Sequence, residues 1–189
     1  MYLSKCMATE MTTSQMLAMM SDPREREAGF RQLMRQYGRT LYWHIRRIVV
    51  SHDDAEDALQ ETCVKILEGI GSLREETKLT AWLYRIATNE ALHQLRRQTQ
   101  LFQSIDALSD TLLERLEAET PMDAETTEVL FQKALLTLPT QQRIAFNLRY
   151  YDELTYDEIA AVTGKNIGTL KTNYHYATEK IRTYIKEHI

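Results

Sequence analysis

Thr155-Tyr156-Asp157-Glu158-Ile159-Ala160-Ala161-Val162-Thr163-Gly164-Lys165-Asn166-Ile167-Gly168-Thr169-Leu170-Lys171-Thr172 is the stretch that decides the fold. It reads as two helices around a tight turn. Thr155 and Glu158 have the spacing of a capping box, in which each side chain satisfies the other residue's backbone N–H. Ile159, Ala160 and Val162 give the first helix a buried side. Gly164 stands where the turn needs a residue free to adopt positive φ. Asn166 then caps the second helix. In that helix Leu170, Tyr174, Ala177 and Ile181 fall at i, i+4, i+7 and i+11, one apolar stripe. Lys171, Thr172, His175 and Tyr176 are left facing out. A basic, hydrogen-bonding face on the second helix of such a pair is what the DNA major groove requires. Paired helices around a glycine also occur in proteins that never touch DNA, so the motif needs support from the rest of the chain.

Immediately upstream, Leu138-Pro139-Thr140-Gln141-Gln142-Arg143-Ile144-Ala145-Phe146-Asn147-Leu148-Arg149-Tyr150-Tyr151 reads as one more helix. The chain has 189 residues, enough for one domain or two small ones. Six glycines, three prolines and no alternating Val/Ile/Thr-rich runs indicate an all-α protein. The net charge of −4 is unevenly spread. From Gln100 to Glu128 eight acids face one base, Arg115, a net of −7 that leaves +3 for the remainder. An acidic middle with mildly basic flanks divides the chain into three parts, and with a helix start at Asp22-Pro23 it reads as an N-terminal tail (1–22), a helical domain (23–98), an acidic linker (99–122) and a helix-turn-helix domain (123–189).

Several classes are disfavoured. Cys6 and Cys63 are too few and too far apart for a disulfide framework or a metal site. Cys63 reads as a core residue. No apolar run reaches membrane-spanning length, so no membrane insertion is expected. The first twenty residues hold six of the eight methionines but lack a basic start and a long apolar core, which argues against a secretory signal. A reduced, cytoplasmic protein is expected. No phosphate-binding loop, paired catalytic carboxylates or metal-ligand spacing is visible, so no catalytic residue, metal or cofactor is expected.

Along the N-terminal half, Asp22-Pro23-Arg24-Glu25 has the form of a helix start. The pattern predicts a helix from about Pro23 to Tyr37, an interruption at Gly38, and a second helix from about Arg39 to Val50 with Leu41, Ile45, Ile48 and Val49 inward. Asp53 is expected to open a third helix with a buried stripe of Leu59, Cys63, Ile66, Leu67 and Ile70, leaving Asp54, Asp57, Gln60, Glu61 and Glu68 outward. Ser72 to Thr77 reads as a polar loop. A fourth helix is expected from about Leu79 to Gln98. Arg85, Asn89, His93, Arg96 and Arg97 recur on one of its sides at intervals of three or four. By itself such a row reads as a solvated helix face. From Thr99 to about Met122 no periodicity holds for long, and Leu112, Leu113 and Leu116 could make a turn or two of transient helix. A final helix is expected from about Asp123 to Thr137.

The two ends of the chain together resemble one family through short runs of residues. In the N-terminal half they are Asp53-Asp54-Ala55-Glu56-Asp57-Ala58-Leu59-Gln60-Glu61-Thr62-Cys63-Val64-Lys65-Ile66 and Leu79-Thr80-Ala81-Trp82-Leu83-Tyr84-Arg85-Ile86-Ala87-Thr88-Asn89-Glu90-Ala91; in the C-terminal half, the Leu138–Tyr151 run and the helix-turn-helix with Gly168-Thr169-Leu170-Lys171. The chain resembles the extracytoplasmic-function sigma factors of bacterial RNA polymerase over about Phe30–Arg97 and Val129–Ile185. The resemblance implies two helical domains, one binding the minus-ten element and the clamp helices of the largest polymerase subunit, the other binding the minus-thirty-five element and the polymerase flap.

On that resemblance Asp57, Gln60 and Glu61 bind core polymerase; without it they read as a solvated acidic face. Ser72, Arg74 and Lys78 belong to the loop that captures an unstacked base, and Arg85, Asn89, His93 and Arg96 face the minus-ten strand. His93 departs from the family's usual aspartate or asparagine, which leaves the base preference there open. Lys171, Thr172, His175 and Tyr176 face the minus-thirty-five duplex. The family often has arginine where Tyr176 stands, so that sequence cannot be carried over. The resemblance further implies that promoter DNA and core RNA polymerase are partners, and that an anti-sigma factor regulates the protein. The acidic linker is expected either to thread near basic polymerase channels or to shield basic surfaces of the free protein. Two other readings compete. A stand-alone helix-turn-helix repressor or activator would bind duplex DNA as a symmetric dimer and would leave the N-terminal half unexplained. A regulatory adaptor would bind polymerase or another protein without reading DNA.

Overall fold

The computed structural model describes residues 11–73, 75–101, 105–119 and 126–188, whose regular structure is all helical. Among the described residues the order is α1 (Thr13–Ser21), α2 (Arg26–Val49), α3 (His52–Gly69), α4 (Leu79–Leu101), α5 (Ile105–Glu119), α6 (Thr126–Leu136), α7 (Thr140–Tyr150), α8 (Tyr156–Thr163) and α9 (Ile167–His188). Two 3-10 turns, Ile70–Ser72 and Glu76–Lys78, lie between α3 and α4. Helices α1 to α4 pack together as one unit, and α6 to α9 as another.

Gly38 does not divide α2, which runs unbroken for 24 residues. Leu33, Leu41, Ile45 and Ile48 on its inner side are all fully buried. Each such burial is worth about 1.5–3 kcal/mol, against about 1 kcal/mol for a glycine in a helix interior, so packing prevails. The helix begins at Arg26, not Pro23, because Asp22 serves another purpose. It closes α1, and its Oδ1 accepts from the Arg24 backbone N–H at 2.9 Å.

The segment expected as a tail contains α1, started by a capping box between Thr12 and Gln15. Met16 and Met20 are buried in the main core. Gly29 makes this possible. A Cβ there would lie 2.8 Å from Met20 Cγ and 2.9 Å from the Met20 backbone nitrogen, so only glycine lets α2 approach α1 so closely. The sequence signal was weak because α1 is only nine residues long and its run Met16-Leu17-Ala18-Met19-Met20 shows no clear apolar stripe.

Ser51, not Asp53, caps α3, accepting from the Asp54 backbone N–H at 3.3 Å. Its buried residues are Ala55, Ala58, Thr62 and Ile66, with Leu59, Cys63 and Leu67 only half-buried. The face is rotated from the expected stripe because α3 must contact both α2 and α4, and small side chains let the helices approach. Thr62 is tolerated because its hydroxyl donates to the Ala58 carbonyl at 2.7 Å.

The acidic linker is largely helical where it is described. Helix α4 continues to Leu101, and α5 packs against α4 and α6. Leu112 is buried, Leu113 and Leu116 join the same core, and Arg115 Nη1 lies 2.7 Å from Asp54 Oδ2. The C-terminal elements follow the sequence closely. Glu158 N–H donates to Thr155 Oγ1 at 3.3 Å and Thr155 N–H to Glu158 Oε2 at 2.8 Å. Gly164 has φ 70°, and Asn166 Oδ1 accepts from the Thr169 N–H at 2.8 Å.

One core runs from α1–α4 into the C-terminal unit, where Ile144, Ala145, Leu148, Leu154, Ile159, Val162 and Leu170 continue it. A second, smaller core of Ala134, Leu135, Leu138, Phe146, Ala177 and Ile181 lies wholly within the C-terminal unit. Phe146 stacks there on Tyr174 with ring centres 5.4 Å apart.

Candidate nucleic-acid interface

On α9 the inward stripe is as the spacing requires: Leu170, Ala177 and Ile181 are buried. Lys171, Thr172, His175 and Tyr176 are all exposed. Thr172 Oγ1 donates to the Gly168 carbonyl at 3.0 Å, and the His175 and Tyr176 rings lie 5.8 Å apart. Lys171 Nζ sits 5.7 Å from the centre of the Tyr156 ring on α8, so α8 positions the ammonium that α9 presents. The capping box and the Gly164 turn therefore place four adaptable polar side chains on the first half of one helix.

On α4, Arg85, Asn89, His93 and Arg96 are also exposed, at helical spacing along one side. Ser72 and Lys78 lie before the start of this helix. Ser72 Oγ donates to the Gly69 carbonyl at 2.7 Å, and Lys78 Nζ to Glu75 Oε1 at 2.6 Å. Arg74 lies outside the described residues. Trp82 is half-buried over Gly69. Tyr84 is buried, and its phenol is pushed up to about 12 by that burial, with the nearby Asp152 carboxylate adding to the effect. It is therefore a core group and is not available for stacking on bases. Ser72, Lys78 and Arg85 line a cleft of about 530 Å³ whose other wall is Asp157, Glu158 and Ala161 of α8.

Asp57, Gln60 and Glu61 are exposed on α3. With Lys65, Glu90, His93 and Arg97 they line a second cleft, of about 400 Å³, between α3 and α4. Buried Glu90 is ion-paired with Lys65. The acidic patch and the row on α4 thus meet at His93 and form one continuous polar surface.

A further cluster was not visible in the sequence. His44 is fully buried on α2; its Nδ1 lies 2.7 Å from Asp152 Oδ2, and its Nε2 2.8 Å from Thr88 Oγ1 on α4. Arg47 Nη1 reaches Asp152 Oδ1 at 3.2 Å and its guanidinium stacks on Tyr151. Asp152 comes from the turn between α7 and α8. The one available signal was a histidine inside the apolar stripe of Leu41, Ile45 and Ile48, which marks a buried polar group in need of a partner.

The geometry agrees with what the chain resembles. Residues 33–100 match the family model for sigma-70 region 2, and residues 128–181 that for sigma-70 region 4. The chain is 30% identical over 164 residues to the ECF RNA polymerase sigma-E factor of Escherichia coli, covering 82% of this chain and 85% of that one. The chain belongs to the extracytoplasmic-function sigma factors. It is also 30% identical over 162 residues to the ECF RNA polymerase sigma factor SigE of Mycolicibacterium smegmatis, covering 83% of this chain but 62% of that longer protein. Among solved structures, the sigma factor RpoE of Bartonella quintana, determined with the anti-sigma factor NepR, superposes with a TM-score of 0.66 at 24% identity, covering 83% of this chain and 96% of that one. This sigma factor therefore serves promoter-specific transcription initiation by RNA polymerase. Among its described residues no helix is long and apolar enough to cross a membrane.

Proposed function

We propose that the three polar surfaces divide the work of initiation. Asp57, Gln60 and Glu61 dock the protein on core polymerase. Ser72, Arg74, Lys78, Arg85, Asn89, His93 and Arg96 hold the opened minus-ten strand, where pocket capture and attraction to the backbone offset unstacking. Lys171, Thr172, His175 and Tyr176 read the minus-thirty-five duplex, Lys171 as a phosphate contact because it lacks arginine's bidentate fork, the others at base edges. The two domains are built on residues 23–98 and 123–189, with α1 packed onto the first. The protein supplies positioning and no catalysis of its own, and works in the cytoplasm beside the polymerase. An anti-sigma factor is its regulator, a reading supported by the Bartonella sigma factor, whose structure was determined in complex with one.

The observation that carries this reading is the exposure of the α9 face on a helix fixed by the Gly164 turn and the Asn166 cap. The test is reconstituted transcription with core polymerase on a promoter mapped by transcript starts after overexpression. Asp57→Ala with Gln60→Ala should weaken core binding while helicity is kept. Unchanged affinity for core would remove the α3 patch from the assignment. Core binding by the wild type without transcription from any mapped promoter would favour the adaptor reading.

A further inference from the structure

Helix α1 touches both of the 3-10 turns that lead into α4. It is itself held firmly. The Thr12–Gln15 capping box starts it, Met16 and Met20 sink into the main core, and Gly29 leaves room for it against α2. From this seat Ser14 Oγ donates to Glu76 Oε1 at 2.6 Å, across 62 positions of sequence. A hydroxyl-to-carboxylate bond of that length is of the short, charge-assisted kind.

The bond grips the second turn on one particular side. Ser72, Glu75, Thr77, Lys78 and Arg85 line the cleft before and on α4, but Glu76 does not. Its carboxylate turns to α1 instead. Glu75 is answered by Lys78, whose Nζ donates to its Oε1 at 2.6 Å. Glu75 to Lys78 hold two acids in four residues, and a turn that receives a DNA strand must keep such charges off the phosphates, because like charges repel. Little else fixes this turn. Its residues are all exposed. Inside it the Lys78 N–H donates to the Glu75 carbonyl at 3.0 Å, a 3-10 bond of poorer geometry than an α-helical one. A short exposed turn is placed by what it is tied to.

We propose that Ser14 and Glu76 are positioning residues for the minus-ten strand. Helix α1 is a fixed post, and the Ser14 hydroxyl ties the second turn to it. The tie sets Lys78 relative to the first turn of α4 and holds the Glu76 carboxylate out of the cleft. Neither residue needs to touch DNA. A turn already in place loses less freedom when the strand arrives, so the tie raises affinity through preorganisation. The proposal rests on the minus-ten assignment above.

The test uses the full chain assembled with core polymerase, and a fluorescent single-stranded oligonucleotide carrying the non-template sequence of the mapped minus-ten region. Ser14→Ala frees the turn and the carboxylate together and should weaken strand binding about fivefold. Glu76→Ala leaves α1 untouched and removes the charge as it frees the turn, so its loss should be smaller, about threefold. The double variant should be no worse than Glu76→Ala, because the two residues act through one bond. Ser14→Thr keeps the hydroxyl and should bind as the wild type does. In Ser14→Ala the preference for the mapped sequence over its single-base variants should narrow, while the urea midpoint stays in place, since both residues are exposed. Additive losses in the double variant, or unchanged binding in both single variants, would overturn the tether. Lys78→Ala and Arg85→Ala keep the two claims apart. If strand binding ignores both, the minus-ten assignment fails, and amide hydrogen exchange across Glu76–Lys78 in the DNA-free protein judges the tether: faster exchange in Ser14→Ala upholds it, and unchanged exchange overturns it.

Discussion

On α9, Lys171, Thr172, His175 and Tyr176 are all exposed, and so, before and on α4, are Ser72, Lys78 and Arg85, but these three line a cleft whose other wall is a helix of the other unit. Both surfaces are rows of polar side chains at helical spacing. They differ in what supports them. The α9 face rests on both cores, through Leu170 in the one shared with the first unit and through Ala177 and Ile181 in the small one of its own unit. The α4 face sits above a core that continues into α7 and α8. The proposed minus-ten face thus borders a helix of the second unit, while the proposed minus-thirty-five face is carried by α9 and steadied by α8.

The strongest way to break this comparison is to attack the shared core. Leu148 is fully buried on α7 and belongs to the core that crosses the units. Leu148→Ala should cost about 2–5 kcal/mol. Both tryptophans, Trp43 and Trp82, lie in the first unit. Tryptophan fluorescence in urea should therefore report the loss, although the change is in the second. A fluorescence transition that stays at the wild-type midpoint would show two independent units.

Next in size is the α9 face itself. Lys171→Ala should weaken holoenzyme binding about equally across minus-thirty-five variants and lower the salt slope by about 1. A loss of about 1–3 kcal/mol confined to one promoter position would instead make Lys171 a base reader. Arg85→Ala should leave duplex binding at the minus-thirty-five element as it is and impair strand opening, followed by permanganate reactivity of unstacked thymines. Equal effects of the two changes on both assays would erase the division between the faces.

A smaller effect is expected at the start of α8. Thr155→Ala removes one half of a capping box and should cost about 1 kcal/mol, read from the urea midpoint. Because α8 borders both faces, it should also loosen the Tyr156 platform under Lys171. The smallest concerns Cys63, whose thiol is pushed up by burial. Its thiolate fraction at mildly alkaline pH is thereby reduced, and alkylation in a Cys6→Ser background should be slower than for the urea-unfolded chain. Equal rates would place Cys63 at a more open surface than its half-buried position on α3.

The helix-turn-helix was legible because all its determinants are local: a capping pair three residues apart, one glycine at positive φ, a cap, and a stripe of period 3.6. Residues such as Lys171 and His175 were placed outward by that periodicity alone. The row on α4 was equally readable as a face, though its role came from the family's pattern and not from spacing. Where local signals failed, a distant partner decided. Gly38 was overruled by the buried stripe around it, α1 by the close approach that Gly29 permits, and α5 by the surface that receives Leu112 and Arg115. The rotation of α3 came from having two neighbours at once. The pairing of His44 with Asp152, 108 residues apart, has no local signature, since neither residue's surroundings encode the other. The sequence by itself determined the helices whose signals are local and the outward rows of α4 and α9. Only the tertiary structure decided which of those polar sides borders a second element, because contact depends on how the units pack and not on the period within one helix.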